Sequence, residues 1–308
     1  MDEFILTPTS FTELPGWEQD QHLAALRAYD PHTSINTDAA ARTYFEQNFI
    51  PHKVNDNATG LFTGYFEPVL NGSRTRSEQF PVPIYRRPPE LTVIDNETRT
   101  AGVMQDGELR PYYTRGEIMA GALAERDLEI LWVDSQVDAF FMAIQRSGRV
   151  DLPDGSSVEL AYDGTNGHPY TAIGALLKDQ LPEITMQSIK DWLNTTQDWS
   201  LLAANKSYIF FKEVPTALGS CGIPLTPERS LAVDQHYITL GTPVWLDIDH
   251  PESGKIQRLT IAQDAGSAIK GPVRGDYFWG VGEAAGRLAG KMKSRGIYYV
   301  LVHASSEA

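Results

Sequence analysis

The segment AQDAGSAIKGPVRGDYFWGVG, from Ala262 to Gly282, concentrates the residues best suited to chemistry. Asp264 and Asp276 are its carboxylates and Lys270 and Arg274 its cations, with Gly266, Gly271, Gly275, Gly280 and Gly282 spaced among them. An aspartate at the end of a strand that runs into glycines lets backbone approach a ligand closely, because glycine has no side-chain barrier and accepts positive φ. The same residue types also build plain turns, in which both aspartates would only satisfy loop amides.

Three chemistries compete for this segment. Asp264-Ala265-Gly266-Ser267 has the form of an aspartic-protease loop, but two such loops must share one proton and the chain holds no second Asp-x-Gly-Ser. Gly280, Gly282 and Gly286 give GxGxxxG where a dinucleotide fingerprint has GxGxxG, and DYFW reads poorly as the core strand that should precede it. The third is a sugar-cleaving carboxylate site, with Tyr277, Phe278 and Trp279 available to stack on pyranose rings.

The elements that must position these residues are legible in outline. With 308 residues, 42% hydrophobic and 21% charged, the chain has the material for about two globular domains. No apolar run reaches the ~18 residues of a membrane helix. A formal charge of −14 repels phosphate backbones, so neither nucleic acid nor a nucleotide is an expected partner. Cys221 has no internal disulfide partner and the seven histidines show no ligand spacing, so neither a metal nor a cofactor is expected. The N-terminus MDEFILTPTS lacks the basic and apolar regions of an export signal, which predicts either a cytosolic protein or one whose signal has been removed.

The first ~55 residues read helical, with Thr37 capping DAAARTYFEQNF. LFTGYFEPVL (61–70) and PVPIYRR (81–87) read as strands. The middle reads mostly helical: Thr114 and Glu117 form a capping box for EIMAGALAERD, Asp134 caps a helix carrying Val137, Phe140, Phe141 and Ile144 that Gly148 stops, and another helix starts near Thr185. From Ser207 onward strands return (YIFFKEV, AVDQHYITLGTPVWLDI, RLTIAQD, IYYVLV), broken by a helix ending at Gly296. Strands at both ends around a helix-rich middle predict a β domain built from both termini and interrupted by an insert.

Eight ordered motifs give the chain a specific likeness: TGYFEPVL, PVPIYRRP, RGEIMAGAL, VDAFFMAIQRSG, YDGTNGHPYTAIG, NKSYIFFKE, PLTPERSLAVD and AQDAGSAIKGPVRGDYFWG. Over residues 61–302 the sequence resembles the membrane-bound lytic transglycosylase A family of murein-cleaving enzymes. It departs from the family pattern at Arg146, Ala265 and Ser267.

The resemblance implies an α+β, mainly β fold. A double-psi β-barrel would form from residues 1–70 and 217–308, a second β-rich domain would be inserted at 71–216, and a glycan groove would lie between them. It also implies catalytic residues Asp276, Asp264 and Asp234, with Asp276 as acid/base and the other two in support. Thr63, Gly64, Tyr65, Gln145, Ser147, Asn166, Lys270, Gly271, Arg274 and Tyr277 would then bind substrate. The partner would be peptidoglycan, and a periplasmic or outer-membrane location would depend on a signal or lipid anchor that this chain does not carry. A non-catalytic glycan-binding module on the same barrel is the alternative.

Some of these residues also carry simpler readings. Val137, Phe140, Phe141 and Ile144 fit helix core at i, i+3, i+4 and i+7. Gln145 and Ser147 could reach sugar hydroxyls or merely cap their helix. Tyr65 and Glu67 lie on one strand, and the family match favours the side of Thr63 and Tyr65. Cys221 has no histidine motif to activate it and reads as a packed or loop thiol. Lys270 and Arg274 are expected to face the anionic substrate, because a cation touching Asp276 would weaken it as an acid.

Overall fold

The computed structural model describes residues 3–95, 100–266 and 268–306, so Ser267 lies outside the described residues. The chain folds as two compact units, one gathering residues up to Phe66 and from Leu218 onward, the other comprising Glu67–Ala217.

Six strands of the first unit form a closed ring: β1 (Gly60–Glu67), β2 (Ser230–Val233), β3 (Pro243–His250), β4 (Gly254–Ala265), β5 (Arg274–Val281) and β6 (Lys293–His303). Their order is β6-β3-β4-β2-β5-β1, and β1 pairs back onto β6, which leaves the barrel no free edge. β1 precedes the inserted unit in sequence, so the barrel closes only when the two chain segments meet. β2 runs parallel to β4 and antiparallel to β5. DYFW, which reads poorly as a core strand, is part of β5, and its Tyr277, Phe278 and Trp279 are all buried there.

The amino-terminal segment covers one barrel face. Helices His22–Tyr29 and Asp38–Asn48 place Leu26, Ala41 and Phe45 against Trp245, Leu259 and Tyr299, which are cross-strand neighbours on β3, β4 and β6. Each side chain of this size contributes roughly 1.5–3 kcal/mol on full burial. Thr37 caps the second helix by accepting from the Ala40 N–H at 3.3 Å. The helical reading of this region stops there, because Phe49–Val54 is a strand paired with β6. Buried Arg229 forks onto Asp20 at 2.8 and 2.9 Å and ties this segment to the approach to β2.

The inserted unit is β-rich, as the family resemblance implied and the helix-weighted reading of the middle did not. Its six-stranded sheet runs in the order Ile209–Val214, Ser157–Thr165, Ser147–Asp151, Val69–Ser73, Glu129–Val133, Val82–Tyr85, beside a three-stranded sheet of Thr92–Asp95, Thr100–Gln105 and Glu108–Arg110. Several helix boundaries shift for local reasons. The Thr114–Glu117 capping box forms, but its helix ends at Met119, and Gly121 then takes a φ of +99°. Ser135, not Asp134, caps Gln136–Gln145, while Asp134 accepts from Asn71 instead. That helix stops at Arg146, a non-glycine residue at φ +65°. Gly148 lies one residue into the following strand, where a Cβ would come 2.7 Å from Met142 Cγ. The last helix closes at Lys291, and Gly296 is mid-strand in β6, where a Cβ would meet the Asp247 carbonyl at 2.5 Å.

Candidate active site

Ala232 on β2 is the direct neighbour of Asp264 on β4 and of Asp276 on β5. Directly paired residues point to one face of a sheet, so the two carboxylates stand on the same face two strands apart, about 10 Å at the backbone. Ala232 places only a buried methyl group between them.

β1 brings the other half of the site. Thr63 and Tyr65 are two residues apart on it and so share a face. Thr63 Oγ1 donates to Asp276 Oδ1 at 2.5 Å, and Tyr65 OH donates to Asp264 Oδ2 at 3.1 Å. The Tyr65 ring packs 5.1 Å from that of Phe278, which lies on the Asp276 side of β5.

The electrostatic settings of the two aspartates differ. Asp264 Oδ1 accepts from Ser220 N–H at 3.0 Å, Ser220 Oγ at 2.7 Å and its neighbour Ala265 N–H at 2.9 Å, and Oδ2 accepts from Tyr65. Asp276 has one hydroxyl. Removal from water raises its pKa above the ordinary aspartate value, and the charge of Asp264 adds to this. Donation by Thr63 and the charge of Arg274 oppose the rise without cancelling it. Burial, and then the charge of Asp264, likewise hold the Tyr65 phenol well above its usual range.

Arg274 is placed differently from expectation. It is half-buried and turned inward, donating to Thr63 Oγ1 at 2.8 Å, to the Leu61 carbonyl at 3.3 Å and to the Gly275 carbonyl. Its positive charge reaches Asp276 through the Thr63 hydroxyl. Lys270 remains exposed, with its ammonium 3.9 Å from Asp234.

Asp234, just past the end of β2, is buried and makes no bond to Asp264 or Asp276 among the described residues. It accepts from the Gly271 N–H at 2.9 Å and from the N–H and ring of His236. Burial alone would raise its carboxyl, but these donors bring it below the ordinary value. Asp234 therefore clamps the loop between the other two aspartates at Gly271, whose φ of +118° suits glycine.

Two expected substrate contacts, Tyr277 and Asn166, are corrected, while Gly64 remains partly exposed. Tyr277 is fully buried and points away from the face of Asp276; it donates to the Glu228 carbonyl and accepts from Arg258, both at 3.0 Å. Gly64 serves close packing, since a Cβ there would stand 2.6 Å from Trp279 Nε1. Asn166, in the inserted unit, is buried and spends its amide on the Tyr113 and Lys206 carbonyls and the Tyr208 N–H, each at 2.8 Å. Also in that unit, Gln145 ends a helix and Ser147 begins a strand, both half-buried around the turn at Arg146.

Sequence reasoning missed Ser220, the residue most engaged with Asp264, because nothing in LGSCG marks a loop that returns to β4. Among the described residues no cluster of His, Cys, Asp and Glu could hold a metal ion.

Comparison with known proteins agrees with this architecture. Residues 61–212 match the family described as the MltA specific insert domain, and residues 229–302 match the 3D domain. The chain is 35% identical over 256 residues to membrane-bound lytic murein transglycosylase A of Escherichia coli K12, over 78% of this chain and 65% of that protein. The match thus spans just under two thirds of that relative's length. The crystal structure of a membrane-bound lytic murein transglycosylase from Agrobacterium tumefaciens is similar with a TM-score of 0.83 at 33% identity, over 98% of each chain. That of E. coli MltA with bound chitohexaose has a TM-score of 0.73 at 26% identity, over 99% of this chain and 95% of that one. With both family regions matched in order and a fold similar to these solved structures over nearly the whole chain, the chain belongs to the membrane-bound lytic murein transglycosylase A family.

Proposed function

We propose that this chain is a peptidoglycan lytic transglycosylase, cleaving the β-1,4 bond from N-acetylmuramic acid to N-acetylglucosamine and leaving 1,6-anhydromuramyl ends. The observation that carries the reading is the contrast at the site: Asp276 is held toward its protonated form, while Asp264 opposite is surrounded by donors.

Protonated Asp276 donates to the departing O4 as the glycosidic bond breaks. The resulting carboxylate then takes the proton from the C6 hydroxyl of the same muramyl residue, whose oxygen bonds to C1 and closes the anhydro ring. One carboxyl group serves both steps, and the attacking oxygen is already tethered, so no water need be activated. Asp264, held in place by its donors across Ala232, stabilises the positive charge that develops at C1 and disfavours early ionisation of Asp276. Thr63 and Arg274 steady the Asp276 carboxylate between the two proton transfers.

Asp234 shapes the loop over the site through Gly271, and Lys270 offers an exposed cation to an anionic glycan strand. Gln145 and Ser147 are the remaining candidates for sugar contacts. The fit of the family's named substrate, murein, supports a periplasmic or outer-membrane location. No helix among the described residues is long and apolar enough to cross a membrane.

The test is product chemistry. Murein sacculi digested in the presence of chelator and weighed by mass spectrometry should yield ends lighter by one water than reducing ends. Predominantly reducing ends would make the enzyme a hydrolase, and intact sacculi that retain bound protein would make it a binding module.

A further inference from the structure

A cavity of about 590 Å³ lies wholly within the inserted unit, walled by Ile84, Tyr85, Trp132, Phe140 and Phe211. Its lining includes Arg115, which is only 6% exposed. The Arg115 guanidinium sits 4.7 Å from the ring centre of Phe140 and 5.1 Å from that of Tyr208. Nε and Nη2 both donate to the Ser207 carbonyl, at 3.1 and 2.8 Å, and no carboxylate among the described residues reaches it. Burial depresses its pKa to about 10.

A guanidinium taken out of water without a counter-ion is costly, and buried cations are ordinarily paired. One carbonyl and two ring faces recover part of that cost and leave the charge uncompensated on the wall of a cavity large enough for an organic molecule. We infer that this cavity is a binding site for a small monocarboxylate with an apolar body, its carboxylate seated on Arg115 and its body against the aromatic and aliphatic wall.

The rest of the lining narrows the class. Glu125 and Glu129 also border the cavity, as does Arg76, so the two acids already balance the two cations and a doubly charged phosphate would add more unbalanced charge than a single carboxylate seated on Arg115. Those carboxylates and the side-chain amide of Gln136 can receive an amide N–H, which fits an N-acylated apolar amino acid or the carboxyl end of a short peptide. The site is separate from the barrel carboxylates and does not depend on the reaction assigned to them.

Calorimetric titration of the full chain with N-acetyl-L-leucine, followed in parallel by intrinsic tryptophan fluorescence, to which Trp132 in the cavity wall is one of six contributors, tests this. The acid should bind saturably, and N-acetyl-L-leucinamide at least ~10-fold more weakly, because the charge-assisted pair is lost. Arg115→Gln should abolish binding of the acid. Ala139→Leu, which narrows the cavity while keeping Arg115, should weaken binding at least ~10-fold at an unchanged melting temperature, and decides the matter if Arg115→Gln does not fold. No saturable binding by the unmodified chain, equal binding of acid and amide, or binding that survives both substitutions would overturn the assignment.

Discussion

Asp264 and Asp276 flank the same alanine on the same sheet face, yet their surroundings make different reagents of them. Asp264 accepts from two backbone N–H groups, a serine hydroxyl and a tyrosine hydroxyl. Asp276 accepts from one threonine hydroxyl, with the Arg274 charge set one hydroxyl further away. Donors stabilise the charged form of a carboxyl group and removal from water destabilises it. The balance is therefore set by what each loop and neighbouring strand supplies, at positions a reader of the chain would treat as equivalent.

The largest expected effect separates the two directly. Asp276→Asn should reduce turnover on sacculi by ~10² to 10⁴, the range for loss of a general acid–base, while glycan binding persists. Asp264→Asn should cost less. Equal losses in the two variants would break the division of roles.

Stripping the donors from Asp264 sharpens the contrast from the other side. Ser220→Ala combined with Tyr65→Phe removes two side-chain hydrogen bonds to Asp264, each worth about 1 kcal/mol, and should lower turnover roughly thirtyfold if both are felt fully in the transition state. Unchanged steady-state rates would reduce Asp264 to a loop residue.

The pH profile carries the next effect. Asp276 must be protonated to start the reaction, so its pKa sets the high-pH limb. Thr63 donates to it and lowers that pKa; Thr63→Val should therefore move the limb upward. The Asp264 charge raises it, and Asp264→Asn should move the limb downward, with a stability loss of about 1 kcal/mol from weakened acceptance of the Ser220 and Ala265 donors. Shifts of the same sign in both variants would contradict the assigned electrostatics.

The smallest effect is on stability. A carboxyl group whose pKa is raised on folding destabilises the native state once pH exceeds that raised value, and does not below the ordinary aspartate pKa, where both states are protonated. Asp276→Asn should thus raise the melting temperature slightly at neutral pH, and the gain should vanish in acid. A gain independent of pH would assign it to packing.

How much of this was visible beforehand varies by element. Strands β1, β3, β4 and β6 are marked by their aromatic and β-branched runs, whereas β5 is not, and the caps at Thr37, Thr114 and Thr185 form as the local chemistry requires. Capping depends on three or four consecutive residues, so sequence reveals it. The inserted unit misled because its amphipathic helices give strong periodic signals, whereas strands as short as Thr92–Asp95 and Glu108–Arg110 give almost none. Asp264, Asp276, Thr63 and Tyr65 were all named from the sequence and do meet. Tyr277 was misassigned because strand alternation sends it to the opposite side from Asp276, and an aromatic triplet does not say which member faces which way.

The sequence by itself determined that two aspartates, their glycines and a TGYFEP strand exist in a family order, because each is a local statement about a few consecutive residues. Only the tertiary structure decided that Ser220 satisfies Asp264, that Arg274 turns behind Thr63, and that Asp234 clamps Gly271 without touching the other carboxylates. Thr63 and Asp276 are separated by 213 positions, and Ser220 and Asp264 by 44. Contacts over such separations follow from barrel register and closure. Whether an aspartate such as Asp276 is held toward its acid form follows from those contacts, since the cost of charging a group depends on everything packed around it and not only on its neighbours in the chain.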